Sequence, residues 1–533
     1  MPHLDRRSFL ATGAIVGLSA QGAMAAGSPT NPIVTGLRTA MRETPIGIDD
    51  RQPALSWRIE AGSVTMQTAY RILVSSSTSA LKQGRGDLWD SGRIESAACT
   101  GILYAGQPLR SGQTCHWKVQ VWDQVGKSSQ SQPTFWEMGL LAEEDWRGDW
   151  LAVEGSTERD DRIAGAMWVG GAAPSPSQPR SFRLAFQSAA GNALLTIIGD
   201  GVMSRLMLDG RPLALPARDP NAFGGAPASR LPLELAAGEH VLTVDVAPTP
   251  GFFVKPFVSL AAQIRLDGPA GSTQRITEGW ETRLGSTEPW SPAVALEKQP
   301  IFPWPPTAAR LLRRTFENKG VIARARLYIA ALGGYRLWLN GGRINDDELQ
   351  CEPANYAARI PYRTYDITRL VRDGANVIAA MVGDGYYASY QAPNGRYAFG
   401  AAPRRFRAVL EITRQDGRIE HVATDGDWRH AEGPVLMSEI YTGEDQDLRL
   451  AQSGWDRPGF DDGRWDRAWQ APSPTTPCAA ALAEPVRAIR TLSPITIRKL
   501  GPNRHIIDFG QNFAGRVRLQ VKGRPGQHII VRH

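Results

Sequence analysis

The hexapeptides RLMLDG, residues 205–210, and RLWLNG, residues 336–341, decide the fold of this chain. In each, apolar residues alternate before an Asp-Gly or Asn-Gly pair, which is the strongest short signal of a β-hairpin. Each is followed further along the chain by a related strand, GEHVL from residue 238 and GANVI from residue 374. The recurrence in one order predicts two copies of a jelly-roll-like module, with chance similarity between unrelated β-domains as the alternative.

The rest of the chain is also typical of β-structure. Its 533 residues are too many to pack around one hydrophobic core. At ~100–200 residues per domain they suggest about three to five domains. The 54 glycines and 38 prolines are spread throughout, which favours short strands joined by turns over long helices. We therefore predict an all-β chain of tandem β-sandwich and jelly-roll domains, partly fibronectin III-like and partly galactose-binding-like.

Four domains follow from the pattern of strands and turns. In the strand HWKVQVWD, residues 116–123, Trp117, Val119 and Val121 share one face, as in a half-buried strand of an immunoglobulin-like sandwich. The expected domains are a fibronectin III/Ig-like sandwich at 31–143, an inserted β-sandwich at 144–306, a jelly-roll domain at 307–480 and a further β-domain from 481 to 533. Because the chain ends within an apparent strand, IIVRH, we expect this last domain to be truncated.

The N-terminus predicts export. Arg6 and Arg7 precede a short apolar, Ala/Gly-rich stretch, and a small-x-small motif ends at Ala25. This arrangement is typical of a twin-arginine signal peptide, here residues 1–26 with cleavage near Ala25. We therefore expect a periplasmic or secreted protein; an amphipathic N-terminal helix is the alternative.

Charge and cysteine content narrow the classes of partner. The net charge of +7 comes from scattered arginines without a basic cluster. We therefore expect a charge-mixed surface, no nucleic-acid partner and no membrane insertion. A surface that binds an acidic polysaccharide is the alternative. The four cysteines have no zinc-type spacing. Cys99 and Cys115 either pair across a hairpin or remain buried thiols.

One long segment resembles a known family. Residues 328–387, which end in the pentapeptide GDGYY, resemble the N-terminal jelly-roll domain of bacterial α-L-rhamnosidases, glycoside hydrolase family 78. Further segments in the family's order support the resemblance: PIGID (45–49), QTAYRILV (67–74), LWDSG (88–92), WD (122–123), IYTGE (440–444), GWDRPGFDD (454–462) and IDFGQN (507–512). The last of these is similar to the start of the family's concanavalin-like domain.

The resemblance implies hydrolysis of terminal α-L-rhamnose from glycosides or polysaccharides with inversion. An inverting glycosidase uses two carboxyl groups ~6.5–9.5 Å apart, and in this family they lie on an (α/α)6 barrel that follows the β-domains. Residues 1–533 show neither long helical periodicity nor the acidic motif of that barrel. We therefore assign no catalytic residue, expect the chain alone to be inactive, and regard the barrel as its missing partner. A stand-alone secreted carbohydrate-binding protein is the alternative, and an aggregation-prone fragment with an unpaired sheet edge is the third.

Two groups of polar residues are candidates for function. The carboxylates Glu439, Glu444, Asp445 and Asp447, with Asp461 and Asp462 further on, lie at a link between domains. There we expect them to cap turns and to pair with arginines such as Arg449.

The segment 144–306 lies where some relatives carry an inserted carbohydrate-binding module in which calcium helps to hold rhamnose. Asp200 precedes the first hairpin, and Asp219 and Asn221 lie in a Gly-rich loop. Because sugar and calcium sites need fixed oxygen ligands, these three are the candidate sugar-binding residues, and Asp200 is the candidate calcium ligand. Turn formation is the alternative role for each. For Trp57, Trp117, Trp338 and Trp455 we expect core packing before sugar stacking.

Overall fold

The computed structural model describes residues 33–60, 66–155, 168–173, 178–199, 201–215, 229–248, 258–268, 272–296, 308–350, 352–389, 404–440, 443–481 and 483–532. These residues are almost entirely β, which confirms the predicted all-β class. The chain divides into two compact units, residues 1–138 and residues 139–533. Within the described ranges, no helix combines the length and the apolar composition that crossing a bilayer requires.

The first unit is a two-sheet sandwich. Its strands are β1 Ile33–Thr39, β2 Ala54–Glu60, β3 Gln67–Ser75, β4 Trp89–Asp90, β5 Ile94–Glu95, β6 Ile102–Leu103, β7 Thr114–Asp123, β8 Ser128–Gln130 and β9 Thr134–Glu137, with a short helix α1 Thr78–Lys82. One sheet has the order β1-β2-β6, and the other is β4-β3-β7-β8 with β5 on β3 and β9 on β7. Burial alternates along β7, so Trp117, Val119 and Val121 face the core as predicted.

The second unit contains a first jelly-roll copy, here called the insert sandwich (residues 168–296). Its strands are β11 Val169–Gly170, β12 Arg180–Ser188, β13 Gly191–Gly199, β14 Val202–Leu208, β15 Arg211–Pro212, β16 Ser229–Leu235, β17 Gly238–Ala247, β18 Leu260–Asp267, β19 Thr273–Ile276, β20 Glu281–Leu284, β21 Ser291–Pro292 and β22 Val294–Ala295. The two sheets are β16-β13-β18-β11-β22, with β19 on β18, and β15-β14-β17-β12-β20-β21. The apolar residues of both inner faces form one core.

The second copy, here called the jelly-roll sandwich, comprises residues 308–481 together with residues 150–153. Its strands are β10 Leu151–Ala152, β23 Arg310–Asn318, β24 Ile322–Leu332, β25 Gly334–Leu339, β26 Gly342–Arg343, β27 Asp347–Glu348, β28 Ile360–Asp366, β29 Gly374–Gly383, β30 Arg405–Arg414, β31 Ile419–Ala423, β32 Arg429–Glu432, β33 Val435–Glu439, β34 Gly443–Gln446, β35 Asp466–Arg467, β36 Trp469–Gln470 and β37 Cys478–Ala480. Its main sheets are β36-β10-β30-β24-β28-β37, with β31 on β30, and β26-β25-β29-β23-β32-β35.

The position of β10 corrects the expected domain start at residue 144. Leu151 pairs with Phe406 of β30 and with Gln470 of β36. The first strand of the segment 144–306 therefore completes a sheet of the jelly-roll sandwich. The insert sandwich begins after this strand and is inserted within its neighbour, because a strand joins the sheet that offers it a hydrogen-bonding edge.

The matching strand orders confirm the predicted repeat. Each strand of the insert sandwich has a counterpart at the same place in the jelly-roll sandwich. Tryptophans hold the same positions: the carbonyl of Trp168 accepts from Leu296 N and that of Trp150 from Ala471 N, both bonds crossing to the last edge strand. The pattern W-[LV]-[AG] at 150–152 and 168–170 is a second signal of the repeat, which our sequence reasoning missed.

Both Asx-Gly pairs form the tight hairpins that the sequence predicts. Asp209 and Gly210 have φ values of 50° and 75°, and Asn340 and Gly341 have 53° and 85°. Two consecutive residues with positive φ define a type I′ turn, whose twist matches that of the flanking strands. The hairpins therefore set the register of β14 with β15 and of β25 with β26.

The last segment forms less structure than expected. Strand β38 Val486–Arg487 pairs with β27, and β39 Thr496–Gly501 forms a hairpin with β40 Arg504–Asp508. Residues 515–521 and 529–532 have irregular backbone, so the apparent strand at IIVRH is not formed in this structure. Strands need a partner for their backbone groups and a face to bury, and among the described residues neither segment pairs with a strand.

Candidate functional site

The described strand ends next in sequence to the predicted sugar-binding residues form one rim of the insert sandwich. Asp200, Asp219 and Asn221 lie outside the described residues, as do the signal residues Arg6, Arg7 and Ala25. The strands around the three rim candidates are described, however. Their ends show which parts of the chain the rim brings together.

Five strand ends meet at this rim. The register places Ile197, near the end of β13, opposite Ser229 at the start of β16. It also pairs Gly199 with Leu260 and Val202 with Ala247. The end of β13 therefore lies beside the start of β16.

Gly201 keeps the backbone tight beside Asp200. Its φ is 157°, and a Cβ atom there would lie 2.2 Å from the carbonyl oxygen of Ala247. Such an approach excludes any other residue without a backbone shift. The backbone at Gly201 is therefore in close contact with the end of β17.

The corresponding rim of the jelly-roll sandwich carries different side chains. Gly333 repeats the geometry of Gly201, with a φ of 147° and a would-be Cβ 2.6 Å from the oxygen of Gly383. The residue before it, which corresponds to Asp200, is Leu332, and only 3% of its surface is exposed. Next to the end of β29, the fully buried Asp384 lies 3.6 Å from the guanidinium of Arg404. A buried apolar residue and an internal ion pair therefore lie at this rim of the jelly-roll sandwich.

The hairpin of the insert sandwich carries a titratable pair. Asp209 Oδ1 accepts from Val241 N at 2.8 Å. Its Oδ2 lies 2.7 Å from His240 Nδ1, while His240 Nε2 lies 2.9 Å from the carbonyl oxygen of Ala236. Both ring nitrogens thus face acceptors, which only the doubly protonated imidazolium can satisfy. The hydrogen bond to Asp209 accordingly raises the pKa of His240.

An uncharged pair replaces it in the jelly-roll sandwich. Asn340 Oδ1 accepts from Val377 N at 2.9 Å, as Asp209 does from Val241. Asn340 Nδ2 donates to Asn376 Oδ1 at 2.8 Å, where the insert sandwich has an imidazole. The same backbone contact is therefore held by groups that do not titrate.

The acidic residues at the link have structural contacts. Asp447 accepts from the backbone N–H of Arg449 at 3.0 Å and forms an ion pair with its guanidinium. The hydrogen bond from that side chain lowers the pKa of Asp447 to about 2. Glu444 accepts from Gln446 Nε2 at 2.6 Å, whereas the side chain of Glu439 lies outside the described residues. The predicted pairing of Asp447 with Arg449 is confirmed.

Asp461 and Asp462 also hold loop structure. Asp461 accepts from Gly463 N in an Asx turn. Asp462 pairs with Arg313, whose side chain is only 2% exposed. Arg313 also donates to the carbonyl of Arg457 at 3.1 Å and lies over the ring of Phe460. One buried guanidinium therefore pins the loop 457–462 to β23.

The described tryptophans pack against protein groups. Trp57 is 2% exposed and Trp117 is fully buried, which confirms core packing for these two. Trp338 and Trp455 contact each other edge to face at 5.4 Å. Trp290 in the insert sandwich is contacted by two guanidiniums, those of Arg183 and Arg283, at 4.6 Å and 4.5 Å from its ring centre. Its ring is therefore engaged by arginine in cation–π contacts.

The described residues contain no group of three or more His, Cys, Asp or Glu placed to hold a metal ion. Cys99, Cys115 and Cys478 are free thiols. Of the two alternatives for Cys99 and Cys115, the structure therefore has thiols and not a disulfide. Burial raises the pKa values of Cys115 and Cys478 to about 12. Neither thiol is therefore ionised near neutral pH, and neither is a nucleophile there.

Three family models match this chain in sequence order. Residues 34–142 match the Rha78A-like, N-terminal immunoglobulin domain. Residues 320–490 match the alpha-L-rhamnosidase N-terminal domain, and residues 498–533 match the bacterial alpha-L-rhamnosidase concanavalin-like domain.

Characterised relatives are similar over nearly the whole chain. An alpha-L-rhamnosidase of Streptomyces avermitilis is 30% identical over 517 residues, which cover 92% of this chain and 50% of the relative. One from Formosa agariphila is 24% identical, with 92% and 39% covered. The chain thus spans half or less of the length of these relatives.

Solved structures show the same fold. The crystal structure of the Streptomyces avermitilis alpha-L-rhamnosidase complexed with L-rhamnose matches with a TM-score of 0.60 and 27% identity, covering 90% of this chain and 49% of that one. An alpha-L-rhamnosidase from Dictyoglumus thermophilum matches with a TM-score of 0.58 at 23% identity over 91% of this chain and 39% of that one.

Proposed function

This chain carries the N-terminal β-domains of bacterial α-L-rhamnosidases, and from this we propose that it is the accessory portion of an exported enzyme that hydrolyses terminal α-L-rhamnose. The observation that carries the proposal is the match of three family domains in their family order. In such an enzyme these domains would brace the catalytic barrel and hold a rhamnoside or polysaccharide near it.

Hydrolysis itself would require the two carboxyl groups of the barrel. Among the described carboxylates at the link, Asp447 and Asp462 pair with arginines and Asp461 caps a turn, so these three are engaged in structural contacts. We therefore expect the purified chain of residues 1–533 to release no nitrophenol from p-nitrophenyl α-L-rhamnoside. Measurable release that follows the protein through purification would contradict this assignment.

The insert sandwich is our candidate for carbohydrate binding. The described end of β13, which precedes Asp200 in sequence, lies beside the start of β16, which follows Asp219 and Asn221; this supports the assignment, and oxygen donors of this kind suit Ca²⁺. A bound ion would orient sugar hydroxyls at the rim. In the jelly-roll sandwich the buried Leu332 stands in sequence where the insert sandwich has Asp200, which supports a division of labour between the two copies.

Calorimetric titration of L-rhamnose into the whole chain tests this role. We expect binding that EDTA abolishes and Ca²⁺ restores, and that Asp200→Ala weakens at least about tenfold, as for loss of a charged ligand. Asp267→Ala is the matched control, since Asp267 lies on β18 and pairs with Arg265. Equal weakening by both variants, or an unchanged affinity in Asp200→Ala, would remove the assignment.

Export through the twin-arginine route completes the proposal. Arg6 and Arg7 precede the apolar stretch of the N-terminus, which supports recognition as a signal peptide. Replacing both by Lys should retain the unprocessed chain in the cytoplasm of the producing cell, as measured by fractionation and mass. Arg38→Lys, in the body of the protein, is the control and should leave export unchanged. Normal export of the double variant would contradict the route.

A further inference from the structure

A polar pocket lies at one edge of the jelly-roll sandwich. We call it the edge pocket; its volume is about 260 Å³, just below the ~300–1,000 Å³ typical of ligand pockets. This size suits a single sugar ring better than a longer chain. The residues that line it are Gly155, Arg310, His430, Ala431, Glu432, Arg464, Trp465 and Asp466.

The pocket depends on a segment that the insert sandwich lacks. In both copies, the residue between the last two short strands donates its backbone N–H to a tryptophan: Ala293 to Trp280 at 2.9 Å, and Ala468 to Trp428 at 2.8 Å. Only residues 285–290 join β20 to β21 in the insert sandwich, whereas residues 433–465 join β32 to β35 in the jelly-roll sandwich. The longer connection supplies one wall of the pocket, and the strands β23 and β32 supply the other.

The added segment is held firmly, so its wall is preformed. The buried guanidinium of Arg313 binds Asp462 and the carbonyl of Arg457 within this segment. Trp465, only 6% exposed, donates from Nε1 to Gln452 at 2.9 Å. Preorganised polar groups bind a ligand with less loss of entropy than mobile ones.

The floor of the pocket is a buried charged group. The side chain of Arg310 is 7% exposed, and its guanidinium lies 3.0 Å from Glu432, which is itself largely exposed. Gly155 permits this position, because a Cβ there would overlap Arg310 Nη2 at 1.9 Å. His430, 2% exposed, lies beside them with its ring against Trp469 at 5.3 Å.

The mixture of charges selects the kind of ligand. Arg310 and Arg464 offer donors, and Glu432 and Asp466 offer acceptors, in equal number on the pocket walls. An anion would meet two carboxylates and a cation would meet two guanidiniums, so neither is favoured. A neutral polyol satisfies both sets, because each hydroxyl group donates one hydrogen bond and accepts others.

We infer that the edge pocket is a second carbohydrate-binding subsite, which takes one neutral sugar residue through its hydroxyl groups. The site is separate from the rim of the insert sandwich, and it requires no metal ion. It would hold another part of the glycan to which the proposed enzyme binds.

Saturation-transfer NMR on the whole chain tests the inference, with L-rhamnose, D-glucose and D-galactose as probes in the presence of EDTA. We expect at least one of them to bind, and Arg464→Ala and Glu432→Gln each to weaken that binding at least about tenfold, because a charge-assisted hydrogen bond is lost. Arg467→Ala is the matched control: Arg467 is exposed on the same short strand as Asp466, and successive strand residues face opposite sides. It should leave affinity unchanged.

Three results would overturn the subsite. They are no binding of any of the three sugars in EDTA, binding that Arg464→Ala and Glu432→Gln leave intact, or tighter binding of inorganic phosphate or D-galacturonate than of the neutral sugars. EDTA abolishes any calcium-dependent binding at the rim of the insert sandwich, so the NMR measurement reports on the edge pocket alone. A negative NMR result therefore does not contradict the rhamnose titration of the insert sandwich, and a negative titration does not contradict the NMR result.

Discussion

The insert sandwich and the jelly-roll sandwich have one strand order but stabilise it with different side chains. The first holds its hairpin with Asp209 and His240, and the second holds the equivalent hairpin with Asn340 and Asn376. The backbone contact is the same in both copies. The topology therefore does not depend on the charge state of the hairpin, but its response to pH does.

A second difference concerns the arginines at equivalent positions of β12 and β23. Arg183 pairs with Glu281 at a half-exposed surface, where the two side chains are 36% and 38% accessible. Arg313, its counterpart, is buried and holds the added segment through Asp462. Equivalent positions thus carry a surface ion pair in one copy and an internal clamp in the other.

The largest effect should come from breaking the clamp. Arg313→Ala leaves Asp462 and the carbonyl of Arg457 without their partner, so we expect a loss of ~3 kcal/mol in the free energy of unfolding. The counterpart, Arg183→Ala, removes a half-exposed pair and should cost ~1 kcal/mol or less. Denaturant unfolding followed by tryptophan fluorescence measures both. Equal losses would show that the two arginines have the same role.

The hairpin glycines should give an intermediate effect. Gly341→Ala and Gly210→Ala both place a side chain at positive φ, which costs ~1–2 kcal/mol. At Gly341 the new Cβ also lies 2.6 Å from Arg457 Nε, whereas at Gly210 it meets nothing within 4 Å. We expect a lower melting temperature for both variants and a larger drop for Gly341→Ala. The reverse order would contradict the packing seen at Arg457.

The smallest effect should be the pH response of the insert hairpin. The pKa of His240 is raised from 6.5, so its stabilising contribution is complete below about pH 6.5 and is lost as pH rises through the raised value. The pKa of Asp209 is lowered from 3.8, so its contribution is present above about pH 3.8 and is lost as pH falls through the lowered value. The pair therefore stabilises the hairpin most between these two limits.

Hydrogen exchange of two equivalent amides measures this response. After correction for intrinsic exchange, protection of Val241 should fall relative to that of Val377 between pH 5 and pH 8, by less than ~1 kcal/mol because the pair is partly exposed. The double variant Asp209→Asn, His240→Asn copies the jelly-roll pair and should remove the difference. An identical pH profile for both amides in the unmodified chain would disprove the proposed role of the imidazolium.

Local patterns were sufficient to predict much of the fold. The Asx-Gly pairs at 209–210 and 340–341 require positive φ and form the predicted hairpins, and the alternation along β7 identified its buried face. The edge pocket was not predictable in this way. Gly155, Arg310 and Arg464 are far apart in sequence, and a local pattern carries no information on which distant segments meet.

The sequence by itself determined the β class, the two hairpins and the repeat, because turn chemistry and strand alternation act between near neighbours. Tertiary structure alone decided that Leu151 pairs within the jelly-roll sandwich, that Leu332 is buried, and that Arg313 lies buried against Asp462. These outcomes depend on edge pairing and burial between distant segments, whose free energy exists only once the sheets have assembled.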